Sequence, residues 1–269
     1  LEFKIGIFTN LSHDHLDYHK TEEEYKNQKF RLFTELLQET GTAVINIDDP
    51  KGIELTNTLI KRNVNVISYG INSNSKWHIV NIYNQHNGKI LELKINNQIH
   101  TIPTGLNSKF QIHNAVAAAA LANASGIPLM NSVLSIRNLT TPKGRMEQVP
   151  WYNGSKVFVD FCHTPDALDV VLKEQKTTLG KLILVIGCGG NRDQTKRSKI
   201  GEVAGKNTDI VIVTDDNPRS EDPKKIRLEI IRGSIYTDKF IEIGNRKKAI
   251  SFAIQTAKKE DVIIIAGKG

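Results

Sequence analysis

Long apolar runs and cysteine are scarce in this 269-residue sequence. Apolar runs such as 183–186 and 262–266 are far shorter than the roughly 20 residues that span a membrane. The two cysteines, Cys162 and Cys188, cannot build a disulfide framework of the kind that small secreted domains use. The chain also begins without the basic head, apolar stretch and cleavage site of a signal peptide. We therefore expect a cytoplasmic protein with no membrane insertion.

Aromatic residues make up only 6% of the sequence, although the net charge is basic: 36 Lys and Arg against 29 Asp and Glu give +7. Positive charge attracts nucleic acids, but here it is spread along the chain, and there is little aromatic surface for stacking bases. The composition favours a basic enzyme, with no nucleic-acid partner expected. A non-catalytic, basic nucleic-acid-binding α/β protein remains the alternative.

Two familiar phosphate-binding fingerprints are also missing. No G-x-x-x-x-G-K-[ST] loop occurs, and the glycine turn at 187–193 reads Gly-Cys-Gly-Gly-Asn-Arg-Asp, not G-x-G-x-x-G. The absent dinucleotide fingerprint argues against a Rossmann dehydrogenase. The turn still follows a strand and precedes a helix, an arrangement that favours anions. Cys188 lacks an evident catalytic partner, so we interpret it as a small residue of this turn.

Apolar runs that alternate with helical segments are the main structural signal. In the first half, strands are expected at 5–9, 43–47 and 64–69, separated by helices from 21 to about 40 and from 50 to about 62. Residues 77–104 alternate apolar and polar positions with turns at Asn-Gly and Asn-Asn, which predicts an antiparallel meander. A long Ala-rich helix is expected at 110–124.

The second half alternates more regularly. Strands are expected at 157–160, 182–186, 209–214, around 241 and at 262–266, with a helix in each interval. The pattern predicts an α/β protein with two Rossmann-like parallel-sheet domains, the first with an attached antiparallel β meander. The expected domains are 1–140 and 141–269.

Ligands bind at the carboxyl ends of parallel strands, and the segments expected there are polar or glycine-rich. The segment after the first strand carries three His and two Asp between 13 and 19, which permits metal binding or simply a polar surface. At 214–219, carboxylates beside Arg219 suit a zwitterionic ligand, with guanidinium for a carboxylate and Asp for an ammonium. An Asx/Pro turn with a solvated Arg219 is the alternative.

Six stretches together resemble the Mur ligase family, in family order and over nearly the whole chain. They are TNLSHDHLDYHKTEEEYKNQKFRLF, GRMEQV, VDFCHTPDAL, GCGGNRDQTKR, VTDDNPRSEDP and DVIIIAGKG. The resemblance implies ATP-dependent ligation of meso-diaminopimelate to UDP-N-acetylmuramoyl-L-alanyl-D-glutamate through an acyl phosphate, in peptidoglycan precursor synthesis. The implied cofactors are ATP and Mg²⁺, and the implied partners are these small-molecule substrates. Another amide ligase of the superfamily, such as a folylpolyglutamate synthase, is the alternative enzyme.

The resemblance also implies roles at the metal and nucleotide sites. The family's metal-binding His matches His15, and its carbamylated catalytic lysine matches Lys29. Carbamylation would turn a cation into an oxygen ligand for Mg²⁺. The positions that match the family's ATP contacts are Asn114, Arg145, Asp160 and His163. Before the Ala-rich helix the family has F-N-x-x-N, whereas this sequence has F-Q-I-H-N, which keeps only the second Asn.

The family's amino-acid pocket matches six positions: Arg192, Asp216, Asn217, Pro218, Arg219 and Gly267. The D-N-P-R motif marks members that add meso-diaminopimelate, because an Arg can bind the distal carboxylate that lysine lacks. Arg219 is therefore the expected selector of the substrate.

We also expect the chain to be a fragment, because the family's P-loop would precede Leu1 and a pocket Glu would follow Gly269. We expect it to be a monomer that carries out no ligation by itself.

Overall fold

The structure is a computed structural model that describes residues 2–11, 21–85, 88–151 and 153–267. Contacts within the chain divide it into two compact units, Leu1–Thr141 and Pro142–Gly269. Within the described ranges, no helix is both long and apolar enough to cross a membrane.

Unit 1 is built on a six-stranded mixed sheet in the order β1-β2-β3-β4-β5-β6. Its strands are β1 (Phe3–Phe8), β2 (Leu37–Asn46), β3 (Asn65–Gly70), β4 (Trp77–Gln85), β5 (Gly88–Ile95) and β6 (Gln98–Thr104). The first four strands are parallel, and β4, β5 and β6 pair antiparallel. The sheet confirms the predicted parallel arrangement with an attached meander.

Helices cover this sheet and bury two apolar clusters against it. They are α1 (Glu22–Thr34), α2 (Pro50–Lys61), α3 (Lys109–Ala124) and α4 (Leu129–Ser135). Side chains of Thr21, Asp49 and Ser108 cap the first three helices by accepting hydrogen bonds from backbone N–H groups of the first turn. The predicted start of the first helix, at residue 21, agrees with the Thr21 cap.

The end of α1 differs from the expectation. The sequence predicts a helix to about residue 40, but α1 ends at Thr34 and β2 begins at Leu37. Gly41 lies in β2 where the register with β1 shifts, and a Cβ on it would lie 2.9 Å from the Lys4 carbonyl oxygen. This glycine therefore permits a bulge and close backbone approach inside a strand, and it does not end the helix.

Unit 2 contains a second six-stranded sheet, in the order β11-β10-β9-β12-β8-β7. Its strands are β7 (Arg145–Val149), β8 (Lys156–Asp160), β9 (Leu182–Ile186), β10 (Ile210–Val213), β11 (Phe240–Glu242) and β12 (Val262–Ala266). All neighbours are parallel except β7, which pairs antiparallel with β8. Every residue of β9 and β12 is buried, as the uninterrupted apolar runs predict.

The helices of unit 2 connect these strands: α5 (Pro165–Gln175), α6 (Thr195–Asn207), α7 (Pro223–Arg232) and α8 (Arg246–Thr256). Proline occupies the first helical position of α5 and α7, where its missing N–H costs no intrahelical bond. Because the strands are parallel, the loops before these helices gather at the carboxyl edge of the sheet. That edge holds most of the candidate binding residues.

Candidate ligand-binding site

Asp160 ends β8 and holds the backbone around it. Its buried carboxylate accepts hydrogen bonds from the N–H groups of Met146, at 2.8 Å, and Cys162, at 2.7 Å. Met146 has a left-handed backbone, with φ of 54°, at a bulge between β7 and β8. This bulge aims its N–H at Asp160, so the carboxylate fixes both the edge strand and the following loop.

Next to Asp160, three side chains stack on one another. The Arg145 guanidinium lies 4.4 Å from the centre of the Phe161 ring, and the His163 ring meets Phe161 edge to face at 4.9 Å. Nδ1 of His163 also lies 3.1 Å from the Phe161 carbonyl oxygen. All three side chains are exposed, so a cation, an aromatic ring and an imidazole are presented together to a ligand. The structure thus brings together three of the predicted ATP-contacting residues: Arg145, Asp160 and His163.

Two loops at the same edge contact each other backbone to backbone. The glycine loop, residues 187–193, follows β9, and the acidic loop, residues 214–221, follows β10. A Cβ on Gly190 would lie 1.9 Å from the Pro218 carbonyl oxygen, and one on Gly187 would lie 2.4 Å from the Thr214 carbonyl oxygen. Glycine is therefore required at both positions for the loops to approach this closely.

Hydrogen bonds join the same two loops. The Gly190 N–H donates to the Asn217 carbonyl at 2.9 Å, and Ser220 Oγ donates to Asn191 Oδ1 at 3.0 Å. Arg219 has a φ of 51°, and its Nη1 donates to the Gly190 carbonyl at 2.7 Å. The loop that carries Arg192 is thereby held against the loop that carries Arg219 and the other D-N-P-R residues. Arg192 and Arg219 are both exposed.

Arg197 holds both loops in place from the buried side of helix α6. It was not among the candidate residues chosen from the sequence. Its side chain is fully buried and binds Glu221 through two bonds of 2.8 Å and Glu229 through one of 2.7 Å. Glu221 in turn accepts a hydrogen bond from the Asn191 N–H. One buried guanidinium therefore links helix α6, the acidic loop and, through Glu221, the glycine loop.

The bonds from Arg197 and Asn191 have an electrostatic consequence at Glu221. They lower the pKa of this carboxyl from 4.5 to about 2, with the Arg197 hydrogen bond the largest cause. Glu221 therefore stays ionised at pH values at which an ordinary carboxyl is already protonated.

The base of the acidic loop is fixed by a second ion-pair cluster. Arg227 binds Asp215 and, at 2.8 Å, Glu242. Thr214 Oγ1 donates to the Gly244 carbonyl at 3.0 Å. Asp215 is thus engaged in holding the loop, while the following residue, Asp216, is the one matched to ligand binding.

Gly267 lies at the end of β12, beside both β8 and the glycine loop. Its N–H donates to the Asp160 carbonyl at 3.0 Å. Its φ is +91°, and a Cβ there would lie 3.5 Å from the Gly187 carbonyl oxygen. The structure therefore brings Gly267 to the edge that carries the other predicted pocket residues.

The two cysteines near this edge are buried and free. Burial raises the pKa of Cys188 to about 11 and raises that of Cys162 well above its ordinary value. Neither sulfur is a thiolate at neutral pH, so neither is suited to act as a nucleophile.

In unit 1, Lys29 lies on α1, close to the end of β1. Its Nζ donates to the Asn10 carbonyl at 3.2 Å and lies 4.7 Å from the centre of the Tyr25 ring. Lys29 as a whole is partly exposed. As an ammonium it would repel a metal ion, whereas a carbamate at this position would offer oxygen ligands. His15, the other predicted metal ligand, lies outside the described residues, among which no group of three His, Cys, Asp or Glu could hold a metal.

Asn114, on the first turns of α3, is exposed and available to a ligand. The departure from the family motif three residues earlier has a structural explanation. Gln111 is buried and completes a capping box: its side-chain oxygen accepts from the Ser108 N–H at 3.1 Å, and its N–H donates to Ser108 Oγ. Gln111 therefore holds the beginning of α3, which leaves Asn114 as the exposed residue of the motif.

Comparison with known protein families identifies both units. Residues 1–122 match the family described as "Mur ligase middle domain", and residues 144–269 match "Mur ligase, glutamate ligase domain". The chain belongs to the Mur ligase family. The resemblance seen in the six sequence stretches is thereby confirmed.

Individual relatives agree with this Mur ligase assignment. A protein of Rickettsia bellii named UDP-N-acetylmuramoyl-L-alanyl-D-glutamate--2,6-diaminopimelate ligase is 39% identical over 272 residues, which is 100% of this chain and 56% of the relative. A solved structure with the same name has 32% identity and a TM-score of 0.62 over 99% of this chain and 55% of its own. The chain thus spans about half the length of the relatives that it matches.

A solved Mycobacterium tuberculosis folylpolyglutamate synthase, complexed with ADP and AMPPCP, has a TM-score of 0.77 over 98% of this chain and 61% of its own. Its identity is only 21%, so it shares the fold alone.

Proposed function

We propose that this chain forms part of an ATP-dependent ligase that joins meso-diaminopimelate to UDP-N-acetylmuramoyl-L-alanyl-D-glutamate. The observation that carries this proposal is the pair of joined loops: the D-N-P-R residues lie directly against the loop that carries Arg192. The names of the relatives, which are similar along the whole chain, support the same substrate. The folylpolyglutamate alternative has only the shared fold in its favour.

The substrate's distal centre carries both an ammonium and a carboxylate, and the acidic loop offers a partner for each. Asp216 and Asn217 provide oxygen atoms for the ammonium, and Arg219 and Arg192 provide guanidinium groups for the carboxylate. Pro218 and Gly267 would line the pocket beside these four polar residues. Lysine has the same ammonium without the carboxylate, so it would leave the arginine charges uncompensated.

The nucleotide and metal roles are proposed on the same basis. Arg145, Asp160, His163 and Asn114 are the proposed ATP contacts. His15 and a carbamylated Lys29 would hold Mg²⁺, which would neutralise phosphate charge when bound. The ammonium of Lys29 already lies beside Asn10, at the start of the segment that leads to His15.

Calorimetric titration of the 269-residue chain with meso-diaminopimelate and with L-lysine tests the amino-acid site. We expect diaminopimelate to bind more tightly, and we expect Arg219→Met to weaken it by roughly 10- to 100-fold. That range corresponds to the ~1.5–3 kcal/mol of a hydrogen bond to a charged group. The affinity for lysine should not fall, because lysine has no group for Arg219 to bind.

Arg232→Met is the matched control. Arg232 is exposed and lies in the last turn of α7, about 14 Å along the helix from the acidic loop. Its removal should leave both affinities unchanged. Equal binding of the two amino acids by the unaltered chain, or equal losses in Arg219→Met, would contradict the proposed selectivity.

A further inference from the structure

Arg246, the first residue of α8, brings another guanidinium to the carboxyl edge of the unit 2 sheet. Its Nη2 donates to the carbonyl of Ala266 at 2.9 Å, and Ala266 directly precedes Gly267. Its Nη1 is buried, and within the described part of the chain this atom has no hydrogen-bond partner. The Arg246 guanidinium therefore has one nitrogen that is hydrogen-bonded and one that is not, and it lies beside Gly267, a proposed pocket residue.

The environment of Arg246 makes this arrangement costly for the free protein. Burial lowers the pKa of the guanidinium, and the charge of Asp216 opposes that shift without cancelling it. A buried donor without a partner is unfavourable, and such groups in native structures call for an explanation. An anion bound at this edge would supply the missing acceptor.

The chemistry of the proposed substrate indicates which anion this is. The amine that attacks an acyl phosphate must be neutral, so an ammonium held by a carboxylate is not the attacking group. Asp216 therefore suits the ammonium of the non-reacting, distal centre. The distal carboxylate is bonded to the same carbon atom as that ammonium, and the charge of Asp216 acts on the Arg246 guanidinium.

We propose that Arg246 is a further specificity-determining residue, whose Nη1 donates to the distal carboxylate of the bound amino acid. This inference rests on the proposed function. Asp216 and Arg246 would together form a receptor for one zwitterionic centre, and Arg219 would bind the same carboxylate from the acidic loop. Lysine, which lacks this carboxylate, would leave Nη1 without an acceptor.

The test compares Arg246→Met with the unaltered chain in calorimetric titrations with meso-diaminopimelate and L-lysine. We expect a loss of roughly 10-fold or more for diaminopimelate and no change for lysine. The double variant Arg219→Met/Arg246→Met should lose less than the product of the two single losses, because both side chains bind one carboxylate. Arg232→Met serves as the control within the same unit.

Thermal unfolding separates this role from a structural one. Removing an incompletely paired buried charge should leave the melting temperature within about 2 °C of the unaltered chain. Arg246→Lys keeps the charge with a different donor geometry, and it should also bind diaminopimelate less tightly than the unaltered chain.

Two outcomes overturn different claims. Suppose first that the unaltered chain prefers diaminopimelate. If Arg246→Met keeps that preference, or if it loses affinity for both amino acids together with its stability, the proposed role of Arg246 is wrong and the proposed function stands. If the unaltered chain shows no preference, the proposed function fails as well.

Discussion

The candidate residues of the two units are held in different ways. In unit 2, the D-N-P-R residues and Arg192 lie on loops that the fully buried Arg197 ties together through Glu221. In unit 1, Asn114 is exposed on α3, and among the described residues Lys29 makes one hydrogen bond and one ring contact. Unit 2 thus has a hydrogen-bonded frame beneath its exposed binding groups, whereas Lys29 has fewer bonds to the residues that the structure describes.

This difference corresponds to what each site is proposed to do. A pocket that distinguishes two similar amino acids gains from residues fixed before the ligand arrives, because less ordering is needed on binding. A lysine that reacts with CO₂ needs an accessible amine.

The largest change in stability is expected when the Arg197 side chain is removed. Arg197→Met should reduce the free energy of unfolding by about 3 kcal/mol, because it leaves Glu221 and Glu229 without their buried cation. Urea unfolding measures this change. Arg31→Met, which removes the exposed Arg31–Glu35 pair of α1 at 2.9 Å, is the control, with about 0.5 kcal/mol or less expected. Equal losses of unfolding free energy in the two variants would show that the buried Arg197 contributes no more to stability than an exposed ion pair of unit 1.

The second prediction concerns acid stability. Because folding lowers the pKa of Glu221 from 4.5 to about 2, its contribution is fully present above pH 4.5 and is lost as the pH falls towards 2. Glu221→Gln should therefore flatten the dependence of stability on pH within this window. Melting temperatures measured between pH 6 and pH 2.5 check this. An unchanged slope would show that Glu221 is not held by Arg197 in solution.

The third prediction addresses Lys29. Incubation with ¹³C-bicarbonate should give a carbamate signal in the NMR spectrum that disappears in Lys29→Ala, with a stability change within about 0.5 kcal/mol. Lys26, one turn earlier on α1, is the matched control. Its amine is paired with Glu23 at 2.7 Å and Glu54 at 2.9 Å, which raises its pKa and keeps it protonated.

Because only the neutral amine forms a carbamate, Lys26→Ala should keep the ¹³C signal. A signal that survives in Lys29→Ala would refute carbamylation at this position.

The smallest effect is expected at the cysteines. Burial raises the pKa of both thiols, so Ellman's reagent should react slowly with the native chain at pH 7.5 and rapidly once it is unfolded. Rapid reaction of Cys188 in the native state would mean that the glycine loop opens readily and is not the fixed frame described above.

Much of the fold was predictable because parallel strands are buried on both faces and so produce uninterrupted apolar runs. The runs at 182–186 and 262–266 coincide with β9 and β12. The edge strand β7 was not predicted, because its sequence, RMEQV, is largely polar and contains a bulge. Such a strand depends on its partner, β8, more than on its own residues.

The candidate site was also predictable only in part. Motifs indicated which residues lie on the loops, but the contact between Gly190 and Pro218 depends on tertiary structure. Arg197 did leave a signal: it lies in phase with Ile200, Gly201 and Ala204 on the buried face of α6. A charged residue in that phase indicates a buried ion pair, although its partners, Glu221 and Glu229, could not be named from spacing alone.

A crystal structure of this chain soaked with meso-diaminopimelate would examine the amino-acid pocket directly. We expect the distal carboxylate within about 3 Å of guanidinium nitrogens of Arg219 and Arg246, with Arg192 on the same side and the distal ammonium at Asp216. Diaminopimelate bound away from the two joined loops, or Arg192 and Arg219 directed to opposite sides of them, would contradict the account.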